Sequence, residues 1–130
     1  NHPFILMGDF NAGPGSREIK NLVQSGMVDL FHAANPDSSG FTWNPRTNLN
    51  IRTYYLENAG LSKHQSLLAE LKKIHKATPK RIDFIFLGPS TLVESGQLKV
   101  TSSRVAMDEV MNGVHASDHY GVFAKIEFNE

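Results

Sequence analysis

Cysteine is absent from this 130-residue chain, which rules out disulfides, a thiolate metal site and a thiol nucleophile. Net charge is also missing: 13 Lys and Arg balance 13 Asp and Glu. A domain that holds nucleic acid mainly through a bulk positive field is thereby disfavoured, although a local basic groove is not. No apolar run approaches the roughly 20 residues needed to cross a bilayer. Nor does a basic segment lead into an apolar one at the start, as a secretion signal requires. The chain opens Asn1-His2-Pro3 and enters Phe4-Ile5-Leu6-Met7 at once. That opening reads as a fragment cut just ahead of a buried strand.

The 40% apolar and 20% charged residues are ordinary for a globular domain. Phe4 to Phe10 is apolar on both faces up to Asp9, as in an inner strand. Gly13-Pro14-Gly15 breaks it, Ser16 is placed to cap a helix, and Ile19, Leu22 and Val23 form a stripe ending at Gly26. Met27 to Phe31 suggests a short extended piece, and Asn35 to Asn50 a long surface loop around Trp43. A second helix is expected over 63–76, with Leu67, Leu68, Leu71 and Ile74 inward and Thr78-Pro79 as its stop. Ile82 to Leu87, Leu98 to Val105 and Tyr120 to Phe128 read as strands, the last alternating through Val122, Ala124, Ile126 and Phe128. Strands interleaved with two helices imply an α/β layered fold.

Chemistry gathers at strand ends. Asp9 and Asn11 are two apart, so their side chains point the same way. A carboxylate there can ligate a hard cation or orient water, and the amide can donate to a phosphoryl oxygen. Asp83 interrupts an apolar strand and needs a partner, because an unpaired buried carboxylate is costly. A histidine is one candidate; Arg81 and Arg104 are others. Asp118-His119 lies just before the last strand, where a loop can present both. Taken singly, each residue also fits a structural role.

Gly8-Asp9-Phe10-Asn11, Arg81-Ile82-Asp83-Phe84-Ile85-Phe86 and Ser117-Asp118-His119 occur in that order. Together they resemble the three C-terminal motifs of the endonuclease/exonuclease/phosphatase superfamily, which includes deoxyribonuclease-I-like enzymes, apurinic endonucleases, inositol phosphatases and neutral sphingomyelinases. The resemblance runs from Phe4 to about Phe128. It implies half of a two-sheet, four-layer α/β sandwich with mixed sheets, residues 1–130 being the C-terminal part of the domain. It also implies phosphate-ester hydrolysis by in-line attack of activated water in the intact protein. By resemblance His119 is base or phosphate binder, Asp83 fixes its tautomer, Asp9 orients water and Asn11 stabilises developing charge. Asp9, Asn11 and Asp118 would serve a Mg²⁺ or Mn²⁺ ion, since oxygen ligands without thiolates suit those metals. The family's N-terminal half supplies an Asn and the principal metal-binding Glu. Neither can be placed here, so these residues alone are expected to lack a complete metal site and to be inactive.

Substrate is less legible. Gly40-Phe41-Thr42-Trp43-Asn44-Pro45 with Asn48 is similar to a loop of sphingomyelinase-like and related bacterial members. Trp43 there is suited to stacking on a base, meeting lipid or pinning the loop to the core. Lys63, Lys72, Lys73, Lys76, Lys80 and Arg81 form a basic segment opposed by Glu70 alone, fit for a polyanion, an anionic membrane surface or plain solvation. Gly13-Pro14-Gly15 lacks the lysine and length of a P-loop. Thr101-Ser102-Ser103 has no nucleophile elbow around it. The alternatives to a nuclease-like phosphoesterase are a sphingomyelinase-like lipid phosphodiesterase and a non-catalytic binding module. Because two helices can cover only one face of a single sheet, the other face is expected to need the missing N-terminal half, a partner chain or a second copy.

Overall fold

The computed structural model describes residues 2–58 and 64–129. Its first strand, β1 (Phe4–Asp9), leads through the Gly13–Gly15 break into helix α1 (Arg17–Gln24). Ser16 caps that helix as expected, its hydroxyl accepting from the Ile19 amide at 3.3 Å. The extended piece after Met27 is shorter than its sequence suggests. Strand β2 is only Val28–Asp29, because the Asp29 carboxylate accepts from the His32 amide and starts helix α2 (Leu30–Ala34). The expected 35–50 loop likewise stops early: buried Asn48 accepts from the Asn50 and Ile51 amides and opens α3 (Leu49–Asn58). Helix α4 (His64–Lys76) follows, with Ile74 buried and Leu71 40% exposed. Lys63 and the side chains of Leu67 and Leu68 lie outside the described residues. Then come β3 (Asp83–Gly88), the short α5 (Thr91–Glu94), β4 (Leu98–Ala106) and β5 (Gly121–Phe128). Among the described residues there are thus five helices rather than two; of the extra ones, α2 and α3 start at the side chains of Asp29 and Asn48, and α5 is only Thr91–Glu94.

The strands form two sheets, β1-β3-β2 and β4-β5, both antiparallel where mixed sheets were expected. Alternation along β3 decides the layers. Phe84 and Phe86 point to α1 and pack with Ile19 and Met27, while Ile85 and Leu87 point the other way into a cluster with Leu30, Leu98, Val100, Ala124 and Ile126. The order is therefore helix, sheet, sheet.

This corrects the expectation that the chain contributes a single sheet. The chain supplies both sheets, and the outer side of β4-β5 is largely polar: Lys99, Ser102, Lys125 and Glu127 are exposed, and Arg104 lies over Phe123. Apolar exposure falls instead on the edge strand β1, where Phe4, Ile5, Leu6 and Met7 are 38–69% accessible.

Candidate active site

The antiparallel register sets Asp9 of β1 directly opposite Asp83 of β3, so both carboxylates emerge on one side at one end of the sheet. That side faces β5, and His119 sits two residues before β5 begins. Its Nδ1 lies 2.9 Å from Asp83 Oδ2, the pairing that an acid in an apolar strand calls for. The other candidate partners are engaged elsewhere: Arg81 pairs with Asp29 at 2.8 Å, and Arg104 reaches the Val105 carbonyl. Ligand atoms of Asp9, Asp83 and His119 all lie within 4.8 Å of one another. A cleft of about 230 Å³ bordered by Asp9, Asp83 and Tyr120 runs between the strands beside them.

Asn11 adopts φ 50, a left-handed conformation that asparagine tolerates better than most residues. The turn brings both its nitrogens onto Asp9: the backbone amide donates to Oδ1 at 2.8 Å and the side-chain amide to Oδ2 at 3.1 Å. Asp9 is thereby aimed rather than left to rotate. Asp118 does not join this group. Its carboxylate accepts from the Ser117 hydroxyl and borders a separate cavity of about 280 Å³ with Trp43, Asn50, Ile51 and Tyr54. Trp43 is half-buried at that rim, with Lys80 Nζ 5.3 Å over its ring.

Burial is the largest single influence on the His119 imidazole and lowers its pKa. The Asp83 hydrogen bond and the charges of Asp83, Asp118 and Asp9 outweigh it, so the pKa lies above the usual 6.5.

Positioning depends on polar residues that periodicity does not flag. Buried Thr42 accepts the Ile82 and Asp83 amides on its hydroxyl, while its carbonyl accepts the Tyr120 amide. One residue thus ties the start of β3 to the His119 loop. Asn48 donates to the Ser117 carbonyl at 2.9 Å, and buried His115 accepts the Leu49 amide on Nδ1. Thr42 and Asn48 lie within the Gly40–Asn48 stretch singled out by sequence. Nothing in the sequence marks His115.

The model of the Endonuclease/Exonuclease/phosphatase family matches residues 1–119, over nine-tenths of the chain. The chain belongs to this family. An endonuclease/exonuclease/phosphatase family protein from Leptotrichia buccalis C-1013-b has a similar structure, with a TM-score of 0.53 and 25% identity. The match covers 97% of this chain and 35% of that one, so the present chain spans about a third of its relative's length. No curated protein matches it. The α/β fold of the family is thus present, and phosphoester hydrolysis is the chemistry with which family membership is consistent.

Proposed function

We propose that the intact protein hydrolyses a phosphate ester by attack of water at phosphorus, the carrying observation being the 2.9 Å Asp83–His119 pair beside Asp9. Asp83 holds the proton on Nδ1 and leaves Nε2 free to accept one from water or to meet a phosphoryl oxygen. Asp9, fixed from behind by Asn11, orients the water.

Asp9, whose carboxylate lies within 4.8 Å of Asp83 and His119, suits a hard divalent ion such as Mg²⁺ or Mn²⁺, which binds through one or two carboxylates together with substrate oxygens. Such an ion would neutralise charge that builds on the phosphoryl group. Asn11 and Asp118, the other expected ligands, are proposed as outer support, the first through Asp9 and the second beside His119. The principal Glu implied by the resemblance has no counterpart in this stretch, so activity and firm metal binding are proposed for the intact protein only. The apolar edge of β1 is the surface that an N-terminal half, or a second copy, would pair with and cover.

The test is turnover of the intact protein on phosphodiester, phosphomonoester and choline-phospholipid substrates, with and without EDTA. Hydrolysis of at least one, abolished by EDTA and restored by Mg²⁺ or Mn²⁺, is expected. Full turnover in EDTA would refute the metal-assisted reading, and an inert Asp9→Ala protein with normal folding would support the role of Asp9.

A further inference from the structure

Helices α3 and α4 pack against each other and, with the loop ahead of α3, border a pocket of about 280 Å³ that the proposed chemistry does not use. Its lining is Arg46, Arg52, Leu71, Ile74 and His75. None of these residues lines the cleft beside Asp9 and Asp83 or the Trp43 cavity. Three basic side chains from three separate stretches of chain thus meet around one small space. Among the described residues no carboxylate lines it.

Helix electrostatics accounts for only part of this. His75 lies in the last turn of α4 with Lys73 and Lys76, where the carbonyl end of a helix favours cations. Arg52 lies in the first turn of α3, where the amide end disfavours them. The opening amides of α3 are satisfied by His115 and Asn48, so Arg52 does not serve the backbone either. Among the described residues neither the Arg46 nor the Arg52 guanidinium has an ion-pair or hydrogen-bond partner. Arg81 and Arg104 differ: the first pairs with Asp29 and the second reaches the Val105 carbonyl. Uncompensated like charges gathered at one pocket repel, and a bound anion relieves that repulsion.

We infer that this pocket is a binding site for a phosphate monoester, separate from the catalytic cleft, in which Arg46 and Arg52 grip the phosphate oxygens and His75 donates from a ring nitrogen. Two guanidinium forks and an imidazole offer more donors than the two oxygens of a carboxylate can take. A phosphate monoester presents three terminal oxygens and close to two negative charges, which matches them in number and sign. The carbon body of the ester has a place as well: Ile74 is buried and Leu71 is 40% exposed, so the pocket has an apolar wall beside its cationic one. A nucleic-acid strand fits less well, because it spreads single charges along a backbone and calls for a track rather than one enclosed cluster. The site holds its ligand and does not cleave it, since no carboxylate there can orient water. A soluble phosphorylated molecule and the head group of phosphatidate carry the same chemical group.

The inference goes beyond the phosphoesterase reading and does not require it, because binding is read in EDTA without turnover. The full-length protein is titrated by calorimetry with inorganic phosphate and with phenyl phosphate, and floated with phosphatidylcholine vesicles with or without phosphatidate. Phenyl phosphate is expected to bind once per chain, more tightly than inorganic phosphate. Arg46→Ala combined with Arg52→Ala should weaken it about tenfold or more, as loss of hydrogen bonds to a charged group does. Arg46→Lys keeps the charge but loses the fork and should weaken it less. Leu71→Ala should weaken phenyl phosphate and spare inorganic phosphate, and circular dichroism would show the variants folded. His119→Ala should leave binding intact, so a failed catalytic assignment would not be mistaken for a failed pocket. Flotation with phosphatidate alone, lost in the double arginine variant, would support the site with a lipid as its ligand; phenyl phosphate binding without flotation would support it with a soluble one. Four results would overturn the proposal: no binding of phosphate, phenyl phosphate or phosphatidate; acetate bound as tightly as phenyl phosphate; binding lost with His119→Ala but kept in the double arginine variant; or an oligonucleotide that binds through Arg46 and Arg52 while phenyl phosphate does not.

Discussion

Two carboxylate pairs lie close together in this molecule, and they have opposite designs. Asp29 and Arg81 meet at 2.8 Å with side chains only 8% and 6% exposed. The guanidinium stacks over Phe84 and Phe31, and Asp29 also caps α2. Asp83 and His119 meet at 2.9 Å but remain 20% and 26% exposed, and they border a cleft. The first pair joins an acid to a cation that never titrates in the accessible range. The second joins one to the side chain that changes charge near neutrality. The difference separates a pair that holds the fold from one equipped for proton traffic, although both began in the sequence as an Asp beside strand residues.

The largest effect expected from breaking this comparison is Asp29→Ala. It strands a buried guanidinium, and removing one partner of a buried pair costs about 3–5 kcal/mol. A domain's whole stability is only about 5–15 kcal/mol. Urea unfolding of the intact protein should show that loss, while Asp83→Ala should cost far less because both its groups reach solvent. Equal destabilisation by the two variants would erase the distinction. Next in size is His119→Ala, expected to slow hydrolysis by about 10²-fold or more, as loss of a general base does. Its urea midpoint should barely move. Near-normal turnover on the true substrate would remove His119 from the chemistry.

How much of this was legible beforehand follows from what kind of order each part uses. The long strands were readable because burial imposes apolar runs or alternation, as in Phe84–Leu87 and Val122–Ile126. The site was readable because three short motifs put acids and a histidine at strand ends, and antiparallel register then brings Asp9 across from Asp83. Helices α2, α3 and α5 were not readable. Helices α2 and α3 begin at the side-chain caps Asp29 and Asn48, which look like loop residues in sequence, and α5 is too short to show a period. The second sheet within the same chain was hidden too. Which face of β3 meets β4-β5 depends on long-range packing that no local pattern encodes. Asp118, grouped with the metal by motif, accepts from the Ser117 hydroxyl and borders the Trp43 cavity.

Thr42 sharpens the comparison from the other side, since it supports the exposed pair as the aromatic rings support the buried one. Thr42→Val keeps the shape but leaves the Ile82 and Asp83 amides without their acceptor. Unsatisfied buried groups cost about 1–3 kcal/mol, and a loss of that order is expected by urea unfolding. Turnover measured well below the unfolding temperature should also fall, because Asp83 and the His119 loop are no longer tied to one point. Unchanged stability and rate together would mean that other contacts hold this corner.

The smallest expected effect is a shift along the pH axis, and it tests the exposed pair most directly. Burial pushes the His119 pKa down, but Asp83, Asp118 and Asp9 together push it above 6.5. A base must be neutral, so the rate should climb with pH through a midpoint higher than that of an ordinary histidine. Asp83→Asn removes both the hydrogen-bonded carboxylate and its charge and should move the midpoint down. Asp118→Asn removes charge alone and should move it less. Stability carries the same signature with the opposite sense. A group whose folded pKa is raised contributes fully below its unfolded value and loses that contribution as pH rises through the folded one. Wild-type stability should therefore decline slightly over the window just above 6.5, and the Asp83→Asn profile should be flatter there. A rate midpoint that stays put or rises in Asp83→Asn would show that this carboxylate does not govern the imidazole, whatever the 2.9 Å between them.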